Sequence, residues 1–406
     1  MRVPSAAAAH GGAHLTYCTN IHPAETWAEV RANLERYVLA VRTRVAPTQR
    51  FGIGLRLSAL AAEQLANPEA LAELRDFLDE NALYVFTING FPYGAFHGTR
   101  VKEGVYRPDW LEEPRLAYSN RLADILAALL PDEGDMYGSV STVPIAYAPR
   151  VPGAADLTTA TLLLLQHVAY LAAVRERTGK LIVLALEPEP ECVLETTKHA
   201  KDFFEQSLFG AAAVADLGKL LGEGDAEAEA TLRRHVGVCL DACHAAVEFE
   251  DANGAVNTLT NAGIRIAKIQ LSAGLRIERP TAGALSRLHA FADDVYLHQV
   301  VEKRGGELFR YSDLPAALTE ASKPIGPGDE WRVHFHVPLH RERLGPFHST
   351  QPFLRELLAI QKRRGISAHL EIETYTWSVL PPEHRGTDVV EDVVHEIEWV
   401  LDHLRE

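Results

Sequence analysis

The sequence lacks the short motifs that identify many nucleotide-processing and acyl-transfer enzymes. Neither G-x-G-x-x-G after the first strand-like segment nor G-x-x-x-x-G-K-[ST] is present, so nucleotide-dependent chemistry has no support. No G-x-S-x-G is present to carry a hydrolase nucleophile. The four cysteines have neither disulfide-framework nor zinc-knuckle spacing, and we expect buried thiols in a reducing compartment. They are Cys18, Cys192, Cys239 and Cys243.

Positive charge and long apolar runs are also scarce. The formal net charge is −15 and no basic run is present, so we expect no nucleic-acid partner. No uninterrupted apolar stretch reaches the roughly 20 residues of a membrane span. The nearest, TLLLLQHVAYLAAV, is interrupted by Gln166 and His167 and is typical of a buried helix. The N-terminal segment has no leucine-rich core, so we expect no signal peptide, no membrane association and a cytoplasmic location. The pattern does not indicate an oligomeric state.

What the sequence does contain is a repeated alternation of strand-like and helical segments. About eight such units favour a closed (β/α)8 TIM barrel over an open doubly wound sheet. Nine strand candidates are present, one more than a barrel needs. The surplus lies near residues 285–345, where YLHQVVEKRGGELFRYSDL predicts an inserted hairpin. Either IRIAKIQLSAG or WRVHFHVPLH then takes the seventh barrel position. We expect one α/β domain over residues 1–406 with an insertion at about 285–345.

Three of the strand-like segments end at carboxylates. Glu187 follows LIVLAL, Asp241 ends HVGVCLD, and Glu373 follows HLEI. Pro188 restricts Glu187 to extended geometry at the end of its strand. The C-terminal ends of barrel strands meet at the rim that carries the chemistry, and hard oxygen ligands favour a divalent metal. Taken singly, each acid could instead be a solvated loop carboxylate or a helix N-cap.

Histidines accompany these acids. His244 lies three residues after Asp241, where it could contact a metal or substrate or cap the next helix. His334 and His336 alternate in VHFHV and share one face. We favour His336 as the functional one, because it is nearer the C-terminal end. Similar alternation places Glu371 and Glu373 on one face of the last strand, where two inward carboxylates would need a metal or another partner.

Polar and aromatic residues near two other strands predict the walls of a polar cavity. The loop TINGFPYGAFHGTRVKEGVYRPDW could form a pocket wall, or its aromatic residues could pack as a lid. Its candidate substrate contacts are Asn89, Phe91, Tyr93, His97 and Lys102. The first strand alternates polar side chains, which is unusual for a buried strand and supports a polar cavity. These are His14, Thr16, Cys18, Asn20 and His22.

Taken together, these motifs resemble the xylose-isomerase-like TIM barrels, which include sugar isomerases, ketose 3-epimerases and endonuclease IV. The segments HLTYCTNIHPAETW, TINGFPYGAFHG, VHFHVPLH and LEIETYTW are similar to the EboE branch of metabolite traffic proteins. The similarity covers nearly the whole chain.

The resemblance implies a divalent ion (Mn²⁺, Mg²⁺, Zn²⁺ or Co²⁺) held by Glu, Asp, His and Glu at the ends of strands five to eight. Glu187, Asp241 and Glu373 match three of these positions, and His244 matches a substrate-contacting histidine. Alignment by the following strand puts Gln270 at the histidine ligand position and Arg276 at a substrate-binding arginine. Alignment by distance to the last strand selects His336 instead.

Two functions from different classes follow. The first is a metal-dependent isomerase or epimerase of a small polar hydroxylated metabolite, with Glu187 and Glu373 as the acid/base pair and the metal stabilising an enediolate. The second is a metabolite-binding or carrier protein without turnover, because the fourth metal ligand is ambiguous. An endonuclease IV-like phosphodiesterase is a third option, and the charge of −15 argues against it.

Overall fold

Eight parallel strands form a closed barrel with helices on its outside. The computed structural model describes residues 1–3, 12–95, 97, 102–133, 136–151, 153–292, 295–320, 328–386 and 388–405. The barrel strands are β1 (Ala13–Tyr17), β2 (Phe51–Arg56), β3 (Leu83–Asn89), β4 (Gly138–Thr142), β5 (Ile182–Leu186), β6 (Val236–Asp241), β7 (Ile266–Leu271) and β8 (His369–Ile372). Strands β2 to β8 pair in sequence order, and β8 pairs with β1, all in parallel. A short strand, Arg2–Val3, runs antiparallel to β1.

The seam between β1 and β2 closes through a side chain as well as through backbone. A parallel bridge joins Cys18 to Gly54. The hydroxyl of Thr16 accepts from the Gly54 N–H at 3.0 Å and donates to the Gly52 carbonyl at 2.7 Å. Thr16 thus adds hydrogen bonds where the two strands diverge, and the barrel is nearly closed there.

The helices follow the strands as the alternating pattern predicts. The α-helices are Trp27–Asn33, Leu39–Val45, Ala59–Leu65, Pro68–Glu80, Glu113–Leu129, Ala154–Thr178, Thr197–Phe203, Ala211–Leu221, Asp225–His235, Ala242–Val247, Ala252–Asn261, Ala282–Leu288, Leu314–Glu320, Gln351–Arg364 and Val389–Arg405. The π-helical turns are Leu34–Val38 and Phe204–Leu208, and the 3₁₀ turns are Thr19–Ile21, Lys102–Tyr106, Ala148–Arg150, His289–Phe291 and Pro382–His384.

Among the described helices, one is long and apolar enough to cross a membrane by length and composition alone. It is Ala154–Thr178, and half of its most apolar window is buried inside the molecule. It packs against the neighbouring helix Glu113–Leu129. This packing explains its apolar character, as the sequence predicts for a buried barrel helix.

The prediction of a (β/α)8 barrel is confirmed, and the structure identifies the seventh strand. IRIAKIQL forms β7, between β6 and β8, whereas WRV belongs to a separate antiparallel sheet. The predicted hairpin is present, with Val300–Arg304 paired to Glu307–Tyr311. The strands of the second sheet, in spatial order, are Glu307–Tyr311, Val300–Arg304, Glu330–Val333, Leu275–Ile277, Phe347–Ser349 and Arg343–Leu344.

This second sheet is anchored to the C-terminal end of β7. The Gly274 N–H donates to Thr350 Oγ1 at 2.7 Å, and the Val337 N–H donates to the Ala273 carbonyl at 2.8 Å. Lys102, after β3, donates to the Tyr296 carbonyl at 2.6 Å. The sheet and its connecting segments therefore lie over the rim at which the barrel strands end.

A buried ion pair occupies the barrel interior below that rim. The ammonium of Lys268 on β7 contacts the carboxylate of Glu371 on β8, and both side chains are fully buried. Asn89 bridges the pair, because its amide donates to both Glu371 oxygens and its carbonyl accepts from Lys268 at 2.8 Å. A Cβ at Gly54 would overlap Glu371 Oε1, so glycine is required there.

We predict that Lys268→Met destabilises the protein by about 3–5 kcal/mol, because it leaves the Glu371 carboxylate buried without its cation. The measurement is the free energy of unfolding from urea denaturation. The double variant Lys268→Met/Glu371→Gln removes both charges and should recover most of the loss. A double variant no more stable than the single one would contradict the role given to this pair.

Candidate metal centre

A cavity opens at the C-terminal rim, between the barrel and the second sheet. Its empty volume is about 590 Å³. The barrel contributes carboxylates and amides to its wall, and the aromatic residues come from loops and from the insertion. The lining residues are Asn20, Asn89, Phe91, Pro92, Val105, Tyr106, Glu187, Glu189, His244, Tyr296, Leu297, His334, Glu373 and Tyr375.

Three carboxylates converge at the base of this cavity. Glu187 follows β5, Asp241 ends β6 and Glu373 follows β8. Each offers an oxygen, and these oxygens lie within 4.8 Å of one another. The parallel strands bring the acids together because their C-terminal ends share one rim. The sequence-predicted carboxylate cluster is therefore a geometric feature of the structure.

Burial and mutual repulsion set the charge state of this cluster. Burial, followed by the charges of Glu373 and Asp241, raises the pKa of Glu187 well above its ordinary value. Burial, followed by the charges of Asp241 and Glu371, raises the pKa of Glu373 to about 8. The Lys268 ammonium opposes both shifts but is already paired with Glu371. Without a further cation, burial and repulsion therefore favour the protonated forms of both glutamates.

Asp241 both caps a helix and offers an oxygen to the cluster. Its Oδ1 accepts from the His244 N–H at 2.8 Å, which caps the helix Ala242–Val247, and from Ser272 Oγ at 2.7 Å. Its Oδ2 is buried and has no hydrogen-bond partner among the described residues. A buried carboxylate oxygen without a donor is costly and indicates a missing ligand or ion. The helix-cap and metal interpretations of this acid are thus compatible.

The two candidates for a fourth ligand differ in position. Gln270 on β7 donates its Nε2 to Asn89 Oδ1 at 3.1 Å, and its Oε1 is buried without a partner in the described chain. Its carbonyl oxygen is thus available as a neutral ligand. The His336 ring hydrogen-bonds through Nδ1 to the Glu373 carbonyl at 2.7 Å. However, it groups with Asp241 and His244 rather than with the three carboxylates.

His244 lines the cavity, in agreement with its predicted position. Its Nδ1 lies 2.9 Å from the Pro188 carbonyl, and its Nε2 lies 3.1 Å from His334 Nε2. His334, which we ranked below His336, also lines the cavity. Burial lowers the pKa of His334 well below its ordinary value and that of His336 to about 4. Both rings are therefore neutral in the metal-free protein.

The other predicted contacts are divided between the cavity and its supports. Asn89 and Phe91 line the cavity. His97 instead bridges the Asn20 carbonyl and the Tyr296 hydroxyl, and Lys102 pairs with Asp313 at 2.7 Å. Both tie the loop after β3 to the insertion. Of the remaining loop positions named above, Phe96 and residues 98–101 lie outside the described ranges.

Arg276 does not reach the cavity. It lies on the second sheet, where its guanidinium pairs with Glu330 at 2.8 Å and with Glu278 at 3.2 Å. A substrate-binding role for Arg276 stays a prediction, but the residue is not among those that line the cavity. The reason is that the chain leaves the barrel after β7 and enters the antiparallel sheet, which directs Arg276 toward its own cross-strand partners.

Sequence reasoning missed Glu189 and its partners. Glu189 lines the cavity and accepts from the Tyr106 hydroxyl at 2.7 Å. Tyr106 in turn accepts from Gln299 Nε2 at 2.8 Å, and Gln299 Oε1 accepts from His334 at 2.8 Å. The sequence Glu187-Pro188-Glu189 did indicate this position. Side chains two residues apart in an extended chain point to the same side, so Glu189 is expected on the same side as Glu187. No local feature of the sequence indicated that Tyr106 or Gln299 belongs to the site.

The residues present fit a divalent cation. Three oxygen donors from Glu187, Asp241 and Glu373 are gathered without a free cation among the described neighbours, and Asp241 Oδ2 and Gln270 Oε1 lack partners. Carboxylate and amide oxygens are the donors that Mg²⁺, Mn²⁺ and Ca²⁺ prefer. The oxygen donors and the repulsion between the three carboxylates both indicate that this site suits a cation.

Comparison with known proteins finds similarity to solved structures only. No protein-family model and no curated protein matches the chain. A xylose isomerase-like TIM barrel protein from Mycobacterium smegmatis, in complex with magnesium, is 13% identical, with a TM-score of 0.46 and coverage of 97% of this chain and 96% of that one. IolI protein with a bound zinc atom is 12% identical, with a TM-score of 0.43 and coverage of 96% and 98%. A xylose isomerase domain protein from Planctomyces limnophilus is 12% identical, with a TM-score of 0.43 and coverage of 87% and 88%. At these identities the likeness extends to the fold alone.

We predict that, in the metal-free protein, the contribution of Glu373 to stability decreases as pH rises from 4.5 toward 8. A glutamate whose pKa is raised by folding from 4.5 to about 8 contributes its full stability below 4.5 and loses it as pH passes through 8. Glu373→Gln removes this dependence, so the free energy of unfolding of the variant minus that of the wild type, measured by urea denaturation at each pH, should rise between pH 4.5 and 8. Glu63→Gln, at an exposed position, is the control. Parallel curves for Glu373→Gln and wild type would contradict the assigned shift.

Proposed function

We propose that the protein is a divalent-metal-dependent isomerase or epimerase of a small, neutral, hydroxylated metabolite. The observation that carries the proposal is the set of three carboxylates gathered at the base of the rim cavity, where Glu187 and Asp241 are buried and Glu373 is partly buried. We propose Glu187, Asp241 and Glu373 as ligands, with Gln270 Oε1 as a neutral fourth donor. A divalent ion bound there would act as a Lewis acid on substrate oxygens. The Mn²⁺ and Mg²⁺ class suits this oxygen-rich set.

The two glutamates are suited to proton transfer. Both line the cavity, and environments that raise a carboxyl pKa toward neutrality favour general acid–base chemistry. Glu187 and Glu373 follow β5 and β8, on different parts of the rim, so they approach a bound substrate from different directions. In the proposed reaction one carboxylate takes a proton from a carbon next to a carbonyl and the other returns one. The Asn20 amide, 2.6 Å from Glu373 Oε1, holds that carboxylate in place.

The cavity wall favours an uncharged substrate. The described residues that line it include three glutamates, two histidines and two asparagines but no lysine or arginine. Phosphate and carboxylate groups require cationic partners when they are desolvated, whereas hydroxyl groups pair with neutral amides and carboxylates. Phe91 and Tyr106, stacked with ring centroids 5.7 Å apart, form an apolar wall that suits a sugar ring or carbon chain. Membership of the EboE branch and a cytoplasmic location remain part of this proposal.

We predict that Glu187→Gln and Glu373→Gln each reduce turnover by about 10²–10⁴-fold while the fold persists, because each loses a proton-transferring group. The assay incubates a panel of neutral ketoses and cyclic polyol ketones with the protein and Mn²⁺ in D₂O. Incorporation of deuterium next to the carbonyl is read by NMR. Glu396→Gln is the matched control, since Glu396 is also buried with a pKa raised to about 8 but lies outside the cavity.

Removal of metal by a chelator should abolish the exchange, and added Mn²⁺ should restore it. Full exchange in metal-free protein would overturn the proposal. Saturable binding of a panel member without exchange would support the carrier alternative in its place.

We further predict that neutral substrates bind more tightly than their phosphorylated derivatives, because the described wall offers a phosphate no cation. The measurement is calorimetric titration of each pair in the presence of Mn²⁺ with Glu187→Gln, which blocks turnover. Equal or tighter binding of the phosphorylated member would show that a cationic group reaches the cavity.

A further inference from the structure

A groove lies beside the metal-site cavity, and the proposed reaction does not use it. Its empty volume is about 810 Å³. Tyr375 lines both spaces. His97 lines the groove and is hydrogen-bonded to the Asn20 carbonyl and the Tyr296 hydroxyl, which belong to residues of the cavity wall. The groove and the cavity are therefore neighbours that share part of one wall.

The groove wall contains a buried acid without a partner. Asp392 lies in the first turn of the helix Val389–Arg405 and is 9% exposed. Its carboxylate has no hydrogen bond or ion pair with any described residue, and a Cβ at Gly386 would overlap both of its oxygens. Burial raises the pKa of this carboxyl, and the charge of Arg341 opposes the shift without forming an ion pair. The helix dipole favours an acid at this end but not a buried one, so the unpaired carboxylate indicates a missing ligand.

Negative charge exceeds positive charge among the described residues of the groove. Asp388 also lines it, and the charge of Asp388 repels that of Asp392. Arg385 is the one lysine or arginine among these lining residues. It is exposed, its Nε donates to the Leu380 carbonyl, and it forms no ion pair with either acid. Two carboxylates and one guanidinium leave a net negative charge, which favours a cationic ligand over an anionic one.

Aromatic side chains form much of the remaining wall. No other ring and no cationic side chain of the described residues packs on the indole of Trp377, which lines the groove beside Tyr375. Tryptophan is the side chain whose ring attracts cations most strongly. His22 stacks on Tyr37 with ring centroids 4.1 Å apart. Burial lowers the pKa of His22 to about 3 and also lowers that of His97, so both rings are neutral near pH 7 and do not repel a cation.

We propose that this groove binds an organic cation, namely a primary ammonium group on an apolar or aromatic body, with Asp392 as its counter-ion and Trp377 as a surface for its body. The ammonium supplies both the charge and the donors that a buried carboxylate requires. A metal ion suits the groove less, because every close set of three ligand atoms found in the described chain lies at the metal-site cavity. The proposal does not depend on the proposed reaction, since the groove is a separate space.

The test titrates the full-length, Mn²⁺-loaded protein calorimetrically at pH 7 with three probes that share a phenyl ring. They are 2-phenylethylammonium, neutral 2-phenylethanol and anionic phenylacetate. We expect the ammonium to bind at one site, and the other two about tenfold more weakly or worse, because they lack the charged donor. Asp392→Asn should remove this preference. Asp225→Asn is the matched control, because Asp225 is an exposed acid in the first turn of another helix.

Two further variants decide where the ammonium binds and what charge the groove selects. Glu187→Gln should keep the affinity, whereas an ammonium bound at the metal-site carboxylates would lose it. Arg385→Gln should tighten binding, because it removes a charge of the same sign as the ligand. Asp392→Asn removes an unpaired buried charge, so urea denaturation should show no loss of stability.

Three results would overturn the groove site. They are equal affinities for the ammonium and the alcohol, affinity that is lost in Glu187→Gln but kept in Asp392→Asn, and weaker binding by Arg385→Gln. None of them would affect the proposed reaction, whose failure would appear as metal-independent exchange in D₂O.

Discussion

The concentration of buried negative charge at one end of the barrel is the constraint on which the site depends. Glu187, Asp241, Glu371 and Glu373 all lie inside or at the rim, and repulsion between them would oppose folding if all were ionised. Lys268 neutralises only Glu371, the innermost of them. The raised pKa values of Glu187 and Glu373 show that these two acids favour either a proton or a bound cation. Proton retention and metal binding are therefore alternative states of one buried cluster, and metal binding displaces protons from it.

The inner ion pair also gives the site its geometry. Asn89 contacts both Lys268 and Glu371 and accepts from Gln270, so the amide that could provide a fourth donor is oriented by the pair below it. The space for this network is made on β2, where Gly54 carries no side chain. The candidate metal ligands at the rim therefore lie above a hydrogen-bonded polar layer inside the barrel. This layer orients the ligands before a metal binds.

Much of the barrel and part of the site could be predicted from the sequence, for a local reason. Apolar runs that end at an acid identify both a strand and the rim at which it ends, so Glu187, Asp241 and Glu373 were found without knowledge of contacts. Gln270 and His336 could not be ranked, because their roles depend on whether the chain re-enters the barrel after β7. It does not, and the WRV segment pairs with Leu275–Ile277 in the second sheet instead.

The residues that were missed depend on long-range contacts. Lys268 has no local signal, since a lysine in an apolar strand is explained only by a carboxylate about a hundred residues away in the sequence. Arg276, a position inferred by counting from β7, lies on the second sheet and not on the barrel. The long segment between β7 and β8 separates Lys268 from Glu371 in the sequence and places Arg276 on the second sheet. The insertion in this segment also contributes histidines to the site. By placing His334 beside His244 and His336 beside Asp241, it surrounds an oxygen-rich rim with imidazole nitrogens. Function on this fold is thus set by what packs over the barrel as much as by the barrel itself.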